Sequence, residues 1–387
     1  MISSSRISIA NMFLIQLALI CLCGGAINSC NSADAGNIPY PDALEEADVA
    51  LSSMEDGQSE SLMLGNGDLY GIVWEKEGGL YMRITKNDIW DARVNTSKDG
   101  PLPKVDVSTG KVTGSTGSSP SYKFMYPHPR CAAAIRFEMP ENTGDIRGSL
   151  DLLHAVATID HGESTAIRIL ADRNVVLIHG AERISLEVIK AETIPLAETG
   201  NRGDIEWLYQ KLPGDENGDW GGMEYALAIA ANGKLKAVSL VTSYDVEDEN
   251  VLDRAINLAR NTLGQRESKL VRIHENAWEQ FWVRSGVRLE DSDLQNWWYR
   301  MLYFAKTVCK PGAAPVALMP PLATDATPWH ADYHYNYNAW QAFWPLPAAN
   351  HSELTEPWIS YINDMYPRFK WLARETYDID GVFFPIS

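Results

Sequence analysis

Residues 223–263 read MEYALAIAANGKLKAVSLVTSYDVEDENVLDRAINLARNTL, and a change of rhythm inside this stretch decides the fold. Up to Ser243, apolar and β-branched residues come in two short bursts, Met223–Ala231 and Leu235–Ser243, bounded by Asn and Gly, the punctuation of strands. From Asn250 onward, Leu252, Ile256 and Ala259 fall on one face of a helix. The period therefore passes from that of a strand to that of a helix near residue 245, and the two sides of that point call for different architectures.

On the N-terminal side the same strand rhythm recurs. Tyr70–Trp74, Leu80–Thr85, Ala133–Glu138, Ser149–Ile159, Ala166–Leu170, Val175–His179 and Ile184–Ala191 are β-like, each ending at Gly, Asn, Asp or Pro. Many short strands without helices between them mean a sandwich or barrel, and an antiparallel β-sandwich (super-sandwich) is the expectation. Ser108–Ser121 reads as a polar loop and Gly200–Trp220 as a second one, rich in Gly and Asp.

On the C-terminal side the reading is helical. Val271–Trp282 carries the stripe Trp278, Phe281 and Trp282. Asp291–Val308 carries Leu294, Trp297, Trp298, Met301, Leu302 and Ala305 at helical spacing. Both stripes are expected to be core. Glu353–Arg374 is a further helix, with Pro357 in its first turn and Pro367 inside it, which predicts a kink or two pieces. The expected organisation is a β + α chain: an export signal over 1–35, a sandwich over 36–245, a helical linker over 246–290, and the first part of an (α/α)6 barrel over 291–387.

Arg6, the apolar runs Met12–Ile20 and Cys21–Ile27, and the small residues Ala33-Asp34-Ala35 form that export signal. They place the protein outside the cytoplasm, secreted or periplasmic. Ile27-Asn28-Ser29-Cys30 is the rival reading, a lipid anchor on Cys30. No other stretch reaches membrane-spanning length. Cys131 and Cys309 remain once the signal is removed. They lack metal-ligand spacing and read as buried thiols, a single disulfide being the alternative. The formal net charge of −18 and the lack of any Lys/Arg run exclude a nucleic-acid surface. The 13 Trp and 16 Tyr suit sugar rings, since each pairs a flat apolar face with a polar edge, although core packing uses the same residues.

The densest polar and aromatic cluster spans Trp329 to Trp344, WHADYHYNYNAWQAFW. His334, Asn336 and Asn338 stand at spacing two, so an extended segment would point all three to one face, whereas a helix would turn Asn336 away. The expectation is an extended segment running into a helix at Trp340. Two carboxamides and an imidazole can hold a sugar hydroxyl or orient a water, but an amide has no useful basicity. Hydrolysis would also need an acid and a base carboxylate. Asp332 shares the face of His334 and is a candidate binder, with Trp329 and His330 at the rim. The alternative is that Asn336 and Asn338 cap the next helix. Gly65-Asn66-Gly67 lacks the Lys-Ser/Thr of a phosphate loop and predicts a tight turn. His154 and His179 have no clustered partners and read as structural. Nothing in the sequence asks for a metal or a cofactor.

His334-Tyr335-Asn336-Tyr337-Asn338, followed by Gln341, Phe343-Trp344-Pro345 and Asn350-His351-Ser352-Glu353-Leu354, resembles the signature of glycoside hydrolase family 95. That is the inverting α-L-fucosidase family, which includes some α-L-galactosidases. Leu64–Gly71 with Lys86–Asp91 is similar to its opening sandwich motif, and Trp278–Leu289 with Trp298-Tyr299 to its linker helix and first barrel helix. The resemblance implies that Asn336 and Asn338 hold the attacking water and that His334 contacts the sugar. It brings Gln341 and Trp344 among the substrate-binding candidates, and it implies that the acid Glu and base Asp lie beyond Ser387. The chain then reads as an incomplete, inactive piece of a glycosidase acting on a glycan or oligosaccharide. The alternative is a non-catalytic carbohydrate-binding or surface protein that keeps the sandwich.

Overall fold

The computed structural model describes residues 37–94, 102–114, 127–139, 145–215, 220–324, 328–335 and 337–385. The export signal with Cys30, and Asn336, lie outside the described residues. Two antiparallel sheets face each other, as the period-two runs predict. The larger has nine strands in the spatial order β1 (Val49–Leu51), β10 (Arg147–Asp151), β11 (Val156–Asp160), β12 (Ser164–Ile169), β13 (Val175–His179), β18 (Leu235–Thr242), β17 (Gly222–Asn232), β16 (Ile205–Pro213) and β15 (Glu198–Arg202). The smaller has five, β14 (Ile184–Glu187), β9 (Ala133–Phe137), β4 (Gly79–Lys86), β3 (Leu69–Lys76) and β2 (Leu62–Gly65). Two short pairs complete the strands, β5 (Trp90–Asp91) with β8 (His128–Pro129), and β6 (Lys104–Asp106) with β7 (Lys111–Thr113).

The pleat sorts the side chains. Leu69 and Val73 of β3 point inward and share one core with Leu227, Ile229, Val238 and Leu240 of the large sheet. Tyr70, Ile72 and Trp74, one residue out of step, lie on the other face beneath Leu322 and its neighbours. On β17 the outward set is Ala226, Ala228 and Ala230, and a helix packs on this row of small side chains through Val251, Ala255, Ile256 and Ala259. That explains the unbroken apolar run YALAIAA: both faces of the strand are covered.

The helix is α2 (Val251–Leu263), capped by Asn250, whose side chain accepts the Asp253 N–H at 3.0 Å. A short α1 (Pro41–Glu46) precedes the sandwich. After α2 come α3 (Glu267–Trp282), α4 (Ser292–Val308), α5 (Tyr337–Phe343), α6 (Pro345–Ala348) and α7 (Glu356–Tyr377). The architecture is thus a sandwich followed by part of a helical barrel. Ile38–Ser387 form one compact unit, and among the described residues no helix is long and apolar enough to cross a membrane.

The stripe of α3 is core: Trp278 and Trp282 are fully buried, and Trp278 stacks on Tyr303 of α4 with centroids 5.0 Å apart. Trp282 Nε1–H donates to Leu152 O at 2.9 Å, and His274 Nε2 lies 2.8 Å from His154 O, so α3 is tied to the turn between β10 and β11. That turn interrupts the single strand expected over Ser149–Ile159. It contains no Gly or Pro and is built instead by Asp151, which accepts the His154 N–H at 2.9 Å, with Ala155 at φ 46°. The polar loop expected at Gly200–Trp220 is also corrected, since Ile205–Pro213 is a nine-residue strand paired along β17. Ile205, Leu208 and Leu212 are buried there, and the flanking Gly and Asp residues had masked a usable strand pattern.

Only half of the α4 stripe is core. Leu302 is buried with Tyr299 and Tyr303, whereas Leu294, Trp297 and Met301 are exposed beside Phe304. Pro357 stands in the first turn of α7 as expected, and the helix continues through Pro367 as one element of 22 residues.

Gly65-Asn66-Gly67 makes the expected turn between β2 and β3. Asn66 is buried, and its Oδ1 accepts the Leu69 N–H at 2.9 Å while its Nδ2 donates to Leu170 O at 3.0 Å. The turn sits on the end of α4. Gly67 N–H donates to Thr307 O at 2.9 Å and Asn87 Nδ2 to Val308 O at 2.9 Å, closing carbonyls that a helix end leaves unpaired. Cys131 and Cys309 are both buried thiols not joined to each other, and burial pushes the Cys309 thiol up to about 12. His154 and His179, expected to lack clustered partners, each meet a carboxylate, Asp151 at 2.7 Å and Glu267 at 2.8 Å.

Candidate functional site

Trp329, His330 and Ala331 all adopt left-handed backbone, with φ of 52°, 54° and 53°. For L-residues this conformation costs roughly 1–2 kcal/mol each, so surrounding contacts must hold it. Ala331 is fully buried and its carbonyl accepts the Leu318 N–H at 3.2 Å. The His330 ring lies 6.3 Å from that of His128 on β8, and burial together with His128 lowers its pKa. The consequence of this turn is the placing of His334. Its ring stands 5.2 Å from that of Trp329, and its Nδ1 lies 2.5 Å from Asp332 Oδ1. The approach lacks hydrogen-bond geometry: neither His334 Nδ1 nor Asp332 Oδ1 has a hydrogen-bond partner among the described residues. Asp332 and His334 thus lie side by side.

The continuation differs from expectation. Rather than staying extended to Trp340, the chain enters α5 at Tyr337, and Ala339 N–H donates to His334 O at 3.2 Å. The reason lies in Trp358 of α7, which packs against both Tyr335 and Phe343 with centroid distances of 5.8 and 6.1 Å. Eight extended residues would span roughly 26 Å, so the chain between those two rings must coil for both to reach one indole. Asn338 therefore sits in the first turn of a helix. It lines a 660 Å³ cavity with Gln341, Trp297, Met301 and Phe343. Trp344 is exposed, 5.3 Å from Tyr337.

Asp332 lines a different cavity, of 410 Å³, on the sandwich side. Its walls hold Asn87, Asp88 and Trp90 from the end of β4 and from β5, Tyr333 and Tyr335 from the cluster, and Tyr361 of α7. The structure thus distributes the sequence candidates over two cavities and a rim. Asp332 adjoins the sandwich, Asn338 and Gln341 face α4, and Trp329 and His330 stand at the turn above.

The sandwich wall was not singled out by residue chemistry. Lys86 is buried, with its Nζ 2.6 Å from Asp88 Oδ2, 2.8 Å from Asp245 Oδ1 and 3.4 Å from Asp68 Oδ2. These three carboxylates raise its pKa against the desolvation that lowers it. Burial raises Asp88, opposed by Lys86. Thr242 Oγ1–H adds a 2.8 Å bond to Asp88 Oδ2. Trp90 Nε1–H donates to Asn87 O at 2.9 Å, which sets its ring 5.0 Å from Tyr333. The signal available in the sequence was the motif Lys86–Asp91 itself. The alternation of Tyr333, Tyr335 and Tyr337 with the polar residues was a second hint.

An imidazole and a carboxylate beside aromatic walls can bind and orient a hydroxylated ligand. Among the described residues no group of three or more His, Cys, Asp or Glu could hold a metal ion. Residues 290–386 match the glycosyl hydrolase family 95 catalytic domain, and this bears out the likeness carried by the His334–Leu354 motif. No curated protein matches the chain. Among solved structures, one assigned as a kojibiose phosphorylase from the human microbiome superposes with a TM-score of 0.53 at 12% identity, over 89% of this chain and 50% of that one. At that identity the likeness concerns the fold, and this chain spans half the length of that structure.

Proposed function

We propose that this chain is the sandwich and the opening helical part of an inverting glycoside hydrolase of the α-L-fucosidase type, exported and acting on a glycan or oligosaccharide. The observation that carries the reading is the family 95 match over residues 290–386, the segment that holds the Asp332–His334 pair and Asn338. In this reading Asn336 and Asn338 hold the attacking water, His334 contacts the sugar, and Asp332 adds a further contact to it. The acid and base belong to later helices of a longer polypeptide. Exposed Leu294, Trp297, Met301 and Trp344 fit the same reading, as helix faces that such later helices would cover.

The test is the coding sequence downstream of Ser387 and the activity of whatever longer protein it encodes. Aryl α-L-fucoside and α-L-galactoside should be turned over with inversion, read by NMR of the first anomer released, while the 387-residue chain is nearly inert. Enzyme-like turnover by the 387-residue chain would remove the fragment reading. Binding without turnover by the longer protein would favour the carbohydrate-binding alternative.

A further inference from the structure

The Lys86 cluster accounts for one oxygen of Asp88 and leaves the other over. Asp88 Oδ2 takes Lys86 Nζ at 2.6 Å and Thr242 Oγ1 at 2.8 Å. Asp88 Oδ1 is buried and has no hydrogen-bond partner among the described residues. A buried carboxylate oxygen without a donor is costly, and proteins rarely leave one so without use. Asp88 lines the 410 Å³ cavity, a volume within the usual range for small-molecule sites and ample for one or two pyranose rings. Trp90 and Tyr333, tilted at 44° with centroids 5.0 Å apart, offer flat apolar faces in the same wall, and Tyr361 packs beside Tyr333 with centroids 4.7 Å apart. Lys86 already holds charges in the floor, so a neutral ligand rich in hydroxyls suits the cavity better than an anion facing Asp88 and Asp332.

We infer that the sandwich supplies its own wall of a saccharide-binding site, in which Asp88 Oδ1 accepts a sugar hydroxyl and Trp90 with Tyr333 receives the apolar face of the ring. The ligand class rests on the proposed glycosidase reading, but the site is separate from the Asn338 cavity. It makes the sandwich a determinant of sugar recognition and not only a support for the helices.

The whole chain is titrated with methyl α-L-fucoside, methyl α-L-galactoside and methyl α-D-glucoside, followed by tryptophan fluorescence and saturation-transfer NMR. At least one should bind, and Asp88→Ala and Trp90→Ala should each raise its Kd about tenfold or more. Glu163→Ala removes a carboxylate from Lys234 elsewhere on the sandwich, and neither residue lines the cavity, so its Kd should stay within about twofold of the native value. If Asp88→Ala loses its native circular dichroism, Trp90→Ala and Tyr361→Phe carry the test, each expected to weaken binding. No binding of any of the three glycosides overturns the inference, as does native affinity in Asp88→Ala and Trp90→Ala. His334→Ala and Asn338→Ala separate the two readings. Binding lost in those variants alone places the sugar at the helical cavity and keeps the glycosidase reading without this one. Binding lost in Asp88→Ala and Trp90→Ala supports the sandwich wall even where the longer protein shows no hydrolysis.

Discussion

Gly67 N–H donates to Thr307 O at 2.9 Å, so a turn of the sandwich closes the C-terminal end of α4. The contact depends on bare backbone. A Cβ on Gly65 would lie 2.2 Å from Thr307 O, and one on Gly67 would lie 2.5 Å from Lys310 Cβ, with φ at +94°. Since the Gly65 clash is with backbone, no side chain can swing aside to relieve it. Gly65→Ala should destabilise the protein by about 2–3 kcal/mol, read as a lower urea midpoint. An unchanged midpoint would mean that the turn and the helix end are not in contact.

The α3–sandwich joint should be acid-sensitive. Burial lowers the pKa of His274 from 6.5 to about 4, because the protonated ring would have to sit among Trp278 and the β10–β11 turn. The unfolded chain then binds a proton that the folded one refuses. The contribution is therefore complete above pH 6.5 and is lost as pH falls toward 4, by about 3 kcal/mol in all. Urea midpoints measured from pH 7 to pH 4 should fall less steeply in His274→Gln. Asp48 has the opposite sign, since burial raises its carboxyl to about 6 and the folded state gains a proton as pH drops through that value. Asp48→Asn, which keeps the acceptor for the Leu152 N–H, should raise stability above pH 6 and change little below pH 4.

In the longer protein, Asn338→Ala and Asn336→Ala should reduce kcat by about 10²-fold or more while KM moves far less, because a positioned water counts most in the transition state. His334→Ala should impair both constants. Asp332→Asn removes a charge 2.5 Å from the imidazole and should impair turnover less than His334→Ala does. A pure KM effect in the Asn variants would make them ground-state binders.

The apolar face of α4 should be adhesive in the 387-residue chain. Leu294, Trp297, Met301 and Phe304 are exposed along one side of the helix. The chain should bind a hydrophobic dye and self-associate at micromolar concentration, measured by light scattering. Trp297→Lys with Met301→Lys should suppress both without changing the circular dichroism.

Much of the fold was legible in local pattern, because strand and helix periods are written within ten or so residues. The bursts around Asn232-Gly233 became β17 and β18, Asn250 became an N-cap, and Trp278 with Trp282 became core. Local reading failed where a side chain replaced the usual turn residue, as Asp151 does in splitting Ser149–Ile159. It failed again where Gly and Asp at the flanks outweighed the alternation of Ile205–Leu212.

The sequence alone thus determined the order of sandwich and helices, since strand and helix periods are local to the chain. Tertiary structure decided the site. Trp358, packed against Tyr335 and Phe343 together, coils the chain into α5 and sends Asn338 to a cavity away from Asp332. Asp88, 244 residues before Asp332, reaches the same cavity only because the turn at Gly65–Gly67 docks the sandwich against α4. Such a meeting is set by packing between distant segments, and no periodicity or spacing along the chain encodes it.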